Sequence, residues 1–170
     1  ILFIGCAGGM DTVGEMKYKP LTPEDGTAAL EISVTGLRGG HSGDEIHKGF
    51  GNSVKIMNRL LWNLSNDYRI SLSNFDGGNL RNAIPREAFA TIVIEKADKA
   101  SILNWVAGFN NLMLDELGNI EKELRISVKD TGMPEYIIDR ESQKKLLDAL
   151  TACPHGPIAW SKEMDDLVET

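Results

Sequence analysis

The chain reads Leu30-Glu31-Ile32-Ser33-Val34-Thr35 and then enters a glycine-rich run, Gly36-Leu37-Arg38-Gly39-Gly40-His41-Ser42-Gly43. In the first six residues apolar and polar side chains alternate, which is the two-residue period of a strand with one buried face. Beyond the glycines, apolar residues recur at the spacings of an amphipathic helix, with Asn52 or Ser53 as its cap. These residues are Phe50, Val54, Met57, Leu61 and Leu64. A strand, a loop and a helix are therefore predicted in succession.

The same two periods alternate along the rest of the chain. Ile70 and Leu72 alternate with serines before the turn signal Asp76-Gly77-Gly78, and residues 88–95 form another extended run, rich in β-branched side chains. A second helix is predicted from a cap at Ser101 to Gly118, with an apolar stripe of Ile102, Trp105, Val106, Phe109, Leu112, Met113 and Leu117. A fourth strand alternates through Leu124, Ile126 and Val128, and a further helix covers residues 139–150.

The order of these elements, β-α-β-β-α-β with a helix after it, predicts an α+β fold. We expect a two-layer, ferredoxin-like arrangement: a four-stranded antiparallel sheet with two helices on one face, the other face open, and an extra C-terminal helix. Residues 27–152 make up this unit, whereas residues 1–26 and 153–170 fit it poorly and are expected to be connections. The sequence begins at Ile1 without a methionine and stops at Thr170, which favours a piece of a longer protein.

Composition argues against several classes of protein. The chain has 170 residues, 42% of them hydrophobic, which is enough apolar material for a packed core. A net charge of -7 repels phosphate backbones, so nucleic acid is not an expected partner. No apolar run reaches the roughly 20 residues that a membrane span needs, so no membrane partner is expected. Two cysteines, Cys6 and Cys153, and no secretory signal favour a reducing, cytoplasmic setting.

The densest set of reactive side chains lies in residues 39–47. Gly39, Gly40 and Gly43 leave the backbone around His41 open to a ligand or to another backbone segment. The imidazole of His41 can donate or accept a hydrogen bond near neutral pH. The residues alone leave a plainer interpretation open, in which the loop only turns between a strand and a helix.

Two other kinds of site are poorly supported in this loop. His41 and His47 are six residues apart, which matches neither the paired histidines of a helix nor those of a strand, so Asp44 and Glu45 between them do not make a metal site. Ser42 lacks the Gly-x-Ser-x-Gly elbow of a nucleophile, and side chains that are adjacent on an extended backbone point apart. We therefore expect no metal site assembled within this chain.

A second candidate site lies in residues 77–86, between the second and third strands. Asn82 precedes Ala83-Ile84-Pro85 and offers an amide that can polarise a carbonyl or stabilise an oxyanion. Arg81 and Arg86 can pair with a carboxylate, and Asn79 adds a further polar group. Asparagine and glycine are also ordinary turn residues, and exposed arginines are usually only solvated, so spacing alone leaves both interpretations open.

Together the two loops resemble the lid-domain signature of bacterial aminoacyl-histidine dipeptidases, a group of co-catalytic zinc peptidases related to carnosinases and acylases. The matching stretches are residues 36–52, residues 76–91 and, more briefly, residues 4–11 and 168–170. In this family a catalytic domain with two metals is interrupted by a lid or dimerisation domain of β-α-β-β-α-β type. The resemblance implies that residues 27–152 are that insert, that residues 1–26 leave the catalytic domain, and that residues 153–170 return to it.

The resemblance also implies roles for individual residues. His41 matches the histidine that stabilises the tetrahedral oxyanion, in dimeric relatives across the subunit interface, and Asn82 matches an asparagine that contacts substrate. Some relatives hold the substrate carboxylate with an arginine further along the chain, where this sequence reads Ile92-Val93-Ile94-Glu95-Lys96. That role is left to Arg81, to Arg86 or to the catalytic domain.

The function that the resemblance implies is hydrolysis of dipeptides that end in histidine, by a parent enzyme with two zinc ions. This fragment is expected to hold no metal, to supply oxyanion-stabilising and substrate-contacting residues, to form a homodimer, and to be inactive by itself. The alternative is a stand-alone split β-α-β module that binds a small ligand or a partner protein through the open sheet face, without catalysis.

Overall fold

In the computed structural model, residues 8–164 and 168–169 are described. Its main strands are β1 (Thr27–Thr35), β2 (Ile70–Gly77), β3 (Ala88–Glu95) and β4 (Arg125–Asp130), and its longer helices are α1 (Ser53–Asp67), α2 (Lys99–Leu117) and α3 (Arg140–Ala152). Short 3-10 helices lie at Ile46–Lys48 and Lys96–Asp98. The described residues do not include Cys6, Thr170 or residues 4–7, which begin one of the stretches that resemble the family.

The four main strands form one antiparallel sheet in the order β2-β3-β1-β4. β1 lies inside the sheet, where Ile32 is opposite Ala90 of β3 on one side and Val128 of β4 on the other. Each of α1 and α2 therefore connects two strands that are separated by one other strand. This order is the ferredoxin-like one, and the predicted α+β fold with its four-stranded antiparallel sheet is confirmed.

The main core fills the layer between the sheet and the two helices α1 and α2. Leu30, Ile32 and Val34 are fully buried there, on the face of β1 that the alternation predicts. The helices contribute Ile56, Met57, Leu60, Leu61 and Leu64 from α1 and Ile102, Val106, Phe109 and Met113 from α2. Burial of one such side chain stabilises the fold by about 1.5–3 kcal/mol, so this layer is the main source of stability.

The opposite face of the sheet is partly covered, which corrects the expectation of an open face. We call residues 131–138, which follow β4, the strap. The strap's Ile137 packs against Ala29 and Val93, on the face away from α1 and α2. Ile137–Ile138 also pairs with Pro20–Leu21. Within the strap only Ile137 and Ile138 are buried. Two adjacent residues make no hydrophobic period, so the strap could not be predicted from the sequence.

Asp139 joins the strap to α3 and to an early segment of the chain. Its carboxylate accepts the backbone N–H of Ser142, which caps α3, and the backbone N–H of Lys19. These N–H donors, that of Ser142 first, lower the pKa of Asp139 to about 2. One carboxylate thus starts a helix and also fixes the residues that lead into β1.

The helix starts agree with the sequence in one case and differ in another. Asn52 caps α1, because its side chain accepts the N–H of Lys55, so of the two predicted caps the structure selects Asn52, and Ser53 is the first helical residue. The cap predicted at Ser101 is wrong: α2 begins at Lys99, directly after the 3-10 turn, and has no side-chain cap. The turn already bends the chain into a helical path, so Ser101 lies inside the first turn of α2.

Two further details of the helices also differ from the prediction. Gly118 does follow the end of α2, but its φ of -60° is right-handed, so its lack of a side chain is not needed for a left-handed cap. Phe50 precedes α1 and packs in a separate small cluster with Ile46 and Ile84. It was predicted as part of the α1 stripe because its spacing to Val54 happens to fit a helix.

The extra C-terminal helix, α3, packs on α1 through polar as well as apolar contacts. The side-chain amide of Asn58 in α1 donates to the Leu147 carbonyl and to the Thr151 hydroxyl. The Lys55 ammonium donates to the carbonyls at the end of α3, those of Leu150, Thr151 and Cys153. A cation at a helix C-terminus stabilises those exposed carbonyls, so α1 supplies the C-terminal cap of α3.

Each edge of the sheet receives a side-chain amide from a helix. At β2, Gln143 of α3 accepts the N–H of Leu72 and donates to the Ile70 carbonyl, and Gln143 is buried. At β4, Asn110 of α2 accepts the N–H of Ile126. Unpaired edge groups can recruit another strand. Gln143 satisfies both a donor and an acceptor at the β2 edge, and Asn110 satisfies one donor at the β4 edge.

Within the described part of the chain, no helix combines the length and the apolar character that crossing a membrane requires.

Candidate functional site

The two loops that the sequence singles out meet at the same end of the sheet. Gly40–His41 pairs with Ala83–Ile84 as a short two-stranded ribbon. The N–H of Ser42 also donates to the carbonyl of Asn82, with an N–O distance of 3.0 Å. The structure therefore brings the backbones of His41 and Asn82 together, although 41 positions separate them in the sequence.

Glycine is required at the base of this ribbon. Gly39 has a φ of +66°, and a Cβ there would lie 2.3 Å from the Arg86 Cγ. A Cβ on Gly40 would lie 2.9 Å from the Phe50 ring. The chain can therefore bring Arg86 and Phe50 against the backbone just before His41 because neither glycine has a side chain.

The His41 ring is held by the turn that follows it. Its Nδ1 lies 3.1 Å from the backbone nitrogen of Gly43 and 3.1 Å from that of Asp44, and both N–H groups donate to it. The Asp44 carboxylate is further away, with its Oδ2 4.0 Å from Nδ1. The side chain of His41 is 50% exposed, and its Nε2 has no hydrogen-bond partner among the described residues.

Glu45 closes this turn. Its Oε2 accepts the backbone N–H of His41 at 3.0 Å, and its Oε1 forms an ion pair with the Lys48 ammonium at 2.9 Å. The hydrogen bond from Lys48, followed by that from the His41 N–H, lowers the pKa of Glu45. Glu45 was considered from the sequence only as a metal ligand, because a partner in the backbone leaves no trace in residue spacing.

Glu121 is a further residue of the site that sequence reasoning missed. It is fully buried, and its carboxylate accepts the backbone N–H of Arg38 at 2.7 Å and that of Gly51 at 2.8 Å. These two residues lie near the start and the end of residues 36–52, which we call the His41 loop. Glu121 therefore joins both ends of the loop to the segment after α2, and its distance of 70 residues or more from these partners hides this role in the sequence.

The remaining candidate residues are not gathered around His41. Arg86 donates from Nε to the Leu37 carbonyl, and Arg81 forms an exposed ion pair with Asp11 at 2.9 Å. Asn79 and Arg86 line a shallow cavity of about 360 Å³ between residues 76–80 and 83–89. His41 and Asn82 are not among the lining residues, so the cavity does not contain all of the predicted site.

The histidines do not form a metal site in the described residues. His47 lies near Trp160, with ring centroids 6.1 Å apart, and His155 shares a hydrogen bond with the Asn52 side chain. In residues 8–164 and 168–169, no three His, Cys, Asp or Glu side chains come together in a way that holds a metal ion. What the site can offer is a half-exposed imidazole on a turn that backbone hydrogen bonds hold in place.

Comparison with known sequence families gives a match to the peptidase dimerisation domain over residues 24–121. This range begins just before β1 and ends at Glu121, so it contains both site loops.

Two individual proteins are similar over most of this chain. The cytosol non-specific dipeptidase of Escherichia coli (strain K12) is 35% identical over 99% of the chain. The crystal structure of aminoacylhistidine dipeptidase from Vibrio alginolyticus is 31% identical over 91% of the chain, with a TM-score of 0.87. The chain spans 35% of the first protein and 31% of the second, about a third of the length of each.

A more distant structure shares the fold alone. The crystal structure of a putative aminohydrolase from methicillin-resistant Staphylococcus aureus is 15% identical over 82% of this chain, with a TM-score of 0.50.

Proposed function

The chain belongs to the peptidase dimerisation domain family, and on that premise we propose that it is the lid and dimerisation domain of a dipeptidase. The observation that carries this proposal is the His41 imidazole, half exposed on a turn that is fixed at both ends. Family membership argues against the alternative of a stand-alone binding module.

The proposed chemistry is stabilisation of charge during amide hydrolysis. When water attacks the carbonyl of a dipeptide, negative charge develops on the carbonyl oxygen. His41 donates a hydrogen bond to that oxygen, in its own subunit or across a dimer, and a positioned donor of this kind is most effective when it needs no rearrangement. Asn82 contacts the substrate beside it, and Asn79 is a further candidate for binding the substrate. The substrate carboxylate is assigned to Arg81, to Arg86 or to the catalytic domain. Gly39, Gly40 and Gly43 provide the loop geometry.

The catalytic metal centre is assigned to another part of the parent enzyme. Two zinc ions there would activate the attacking water. The described residues of this chain offer no cluster that fits such a centre. On this proposal residues 27–152 form the lid domain, and residues 1–26 and 153–170 connect it to a catalytic domain of the same protein.

Self-association is proposed through α2. Leu103 and Leu114 lie eleven residues apart on one side of this helix and are 38% and 37% exposed, with the exposed Ala107 between them. Exposed apolar stripes of this kind are typical of interaction surfaces, and the family is a dimerisation domain. We propose a second copy of this chain as the occupant. Sedimentation of Leu103→Asp and Leu114→Asp variants, compared with the unchanged chain, tests the assignment.

The relatives support the substrate class and the location. One is named a non-specific dipeptidase of the cytosol and the other an aminoacylhistidine dipeptidase. We propose a cytoplasmic parent that acts on dipeptides, with those ending in histidine as its preferred substrates. Turnover of a panel of dipeptides that differ only in the C-terminal residue tests this preference, and equal turnover across the panel contradicts it.

The central experiment replaces His41 by alanine in the full-length parent. Loss of an oxyanion donor lowers turnover by roughly 10²–10³-fold, and we expect unchanged metal content because His41 is not assigned as a ligand. His47→Ala is the matched control, since it removes a nearby imidazole that has no assigned role. Wild-type turnover in the His41→Ala enzyme would contradict the proposal. The 170-residue chain alone is expected to hydrolyse no dipeptide.

A further inference from the structure

We propose that the turn of residues 41–45 fixes the His41 ring in one neutral tautomer, with the proton on Nε2, and that Glu45 is the positioning residue for it. The proposal rests on the proposed function only for the identity of the oxygen that accepts the hydrogen bond from Nε2–H. The tautomer itself follows from contacts within this chain.

The first step concerns what Nδ1 can accept. A neutral imidazole has one N–H donor and one nitrogen with a lone pair. The N–H groups of Gly43 and Asp44 both point at Nδ1 from 3.1 Å. A proton on Nδ1 would face these two protons and would leave both donors without a partner. Nδ1 is therefore the acceptor, and the ring proton lies on Nε2.

The second step concerns Asp44, whose carboxylate could hold a proton on Nδ1 instead. Its Oδ2 is 4.0 Å from Nδ1, further than either backbone nitrogen, and its side chain is 90% exposed. Water competes for so exposed a carboxylate, and surface ion pairs contribute little. The contacts from the two backbone N–H groups are shorter, and they favour an Nδ1 that carries no proton.

The third step concerns how the two N–H groups reach the ring. Glu45 closes the turn in both directions, since its Oε2 accepts the His41 N–H and its own N–H donates to the His41 carbonyl at 3.1 Å. Lys48 holds the other carboxylate oxygen. A Cβ on Gly43 would lie 3.3 Å from both Cε1 and Nδ1 of the ring, so glycine lets the backbone come this close.

The consequence is a donor that is ready before substrate arrives. An imidazole with its proton on Nε2 presents a hydrogen-bond donor at its half-exposed end. The other tautomer would present a lone pair there, which repels a negatively charged oxygen. Selecting the tautomer through the second ring nitrogen is a common way to set the role of a histidine, and here the backbone itself makes the selection.

The tautomer can be measured without any peptidase assay. We suggest long-range ¹H–¹⁵N correlation of the imidazoles in the ¹⁵N-labelled chain at about pH 8, where free histidine is neutral. His→Gln variants at positions 41, 47 and 155 assign the three rings. The expected result is a His41 Nδ1 shift typical of an unprotonated nitrogen and an Nε2 shift typical of N–H. A proton on Nδ1, or averaged shifts for both nitrogens, would overturn the proposal.

Three variants test the role of Glu45. Glu45→Ala removes the acceptor for the His41 N–H, and we expect the tautomer ratio to fall by roughly tenfold, as the loss of one hydrogen bond suggests. Glu45→Gln keeps an acceptor oxygen and should retain the wild-type ratio. Asp44→Asn keeps the backbone N–H and should also retain it. An unchanged ratio in Glu45→Ala, or a changed one in Asp44→Asn, would contradict the assignment.

These outcomes are independent of the proposed function. If the His41 tautomer is as proposed but His41→Ala leaves turnover of the parent unchanged, then the function fails while the inference stands. If the tautomer is wrong and the turnover still falls, then the function stands and the inference fails.

Discussion

The helix–sheet core and the His41 loop are held together by different forces. In the core, apolar side chains from β1, β3, α1 and α2 are buried against one another. In residues 36–52, Leu37 reaches the main core and Ile46 and Phe50 pack on Ile84. Around His41 itself the contacts are polar: two carboxylates, Glu45 and Glu121, accept backbone N–H groups, and the His41 ring accepts two more. The core is stabilised by buried apolar area, whereas the His41 turn is held by a few directed hydrogen bonds.

This difference separates stability from chemistry. Apolar packing is spread over many residues, and the stability that it supplies is the sum of many small contacts. Directed hydrogen bonds fix the orientation of a single ring, and the loss of one changes that orientation more than it changes the whole fold. Substitutions in the two regions should therefore have different effects on stability and on local hydrogen exchange.

The largest effect is expected in the core. Leu60→Ala removes a fully buried side chain of α1, which should lower the free energy of unfolding by about 2–5 kcal/mol because it leaves a cavity. Urea denaturation measures this, and Leu80→Ala, at a leucine that is 61% exposed, is the control. If the free energy of unfolding falls equally little in both variants, burial in the core is not the main source of stability.

The next effect is expected at Glu121, where the two regions meet. Glu121→Ala leaves the N–H groups of Arg38 and Gly51 without an acceptor in a buried place, at a cost of roughly 1–3 kcal/mol. Amide hydrogen exchange should accelerate at these two positions before the β-sheet is affected. Glu121→Gln keeps one acceptor oxygen and should lie between alanine and the wild type. Uniform acceleration across the sheet would show that Glu121 belongs to the core instead.

A smaller effect is expected at the start of α1. Asn52→Ala removes the cap on the Lys55 N–H and the partner of His155, and the loss of an N-terminal cap costs about 1 kcal/mol. Asn52→Ser keeps a capping oxygen but cannot reach His155 in the same way. Thermal or urea unfolding of Asn52→Ala and Asn52→Ser separates the effect of the cap from that of the His155 contact. If the two variants lose the same free energy of unfolding, the effect belongs to the His155 contact.

The smallest effect is a dependence on pH. Burial lowers the pKa of His155, so its folded state favours the neutral ring. As pH falls below the ordinary value of about 6.5, the unfolded chain takes up the proton first, and docking of residues 153–156 weakens until the folded ring also protonates. Amide exchange there, corrected for its intrinsic rate, should be faster at low pH. His155→Gln should abolish the difference, and His47→Gln should not.

Those parts of the molecule that depend on periodicity were predictable from the sequence. The alternation of Leu30, Ile32 and Val34 identified β1 and its buried face, and Asn52 is one of the two residues predicted as the cap of α1. These features depend on residues that are close together along the chain. Their partners in the core need only be apolar, so the prediction did not require knowing which residues they are.

Those parts that depend on one distant partner were not predictable in this way. The strap packs through Ile137 alone on Ala29 and Val93, and Glu121 binds backbone groups, which every residue possesses. The α2 start was misplaced at Ser101 because a 3-10 turn leads into it. The roles of His41 and Asn82 came from the family resemblance, since spacing alone did not separate a site from a turn.

The position of Gln143 has a consequence for how readily copies of this chain can join through their sheets. A sheet edge with free N–H and C=O groups can accept a strand from a neighbour, and repeated addition of this kind produces fibrils. Gln143 occupies the Leu72 N–H and the Ile70 carbonyl at the β2 edge, and Asn110 occupies the Ile126 N–H at the β4 edge. A neighbouring strand would have to displace these amides in order to pair at these positions. One side chain from each of two helices thus disfavours strand addition at both edges.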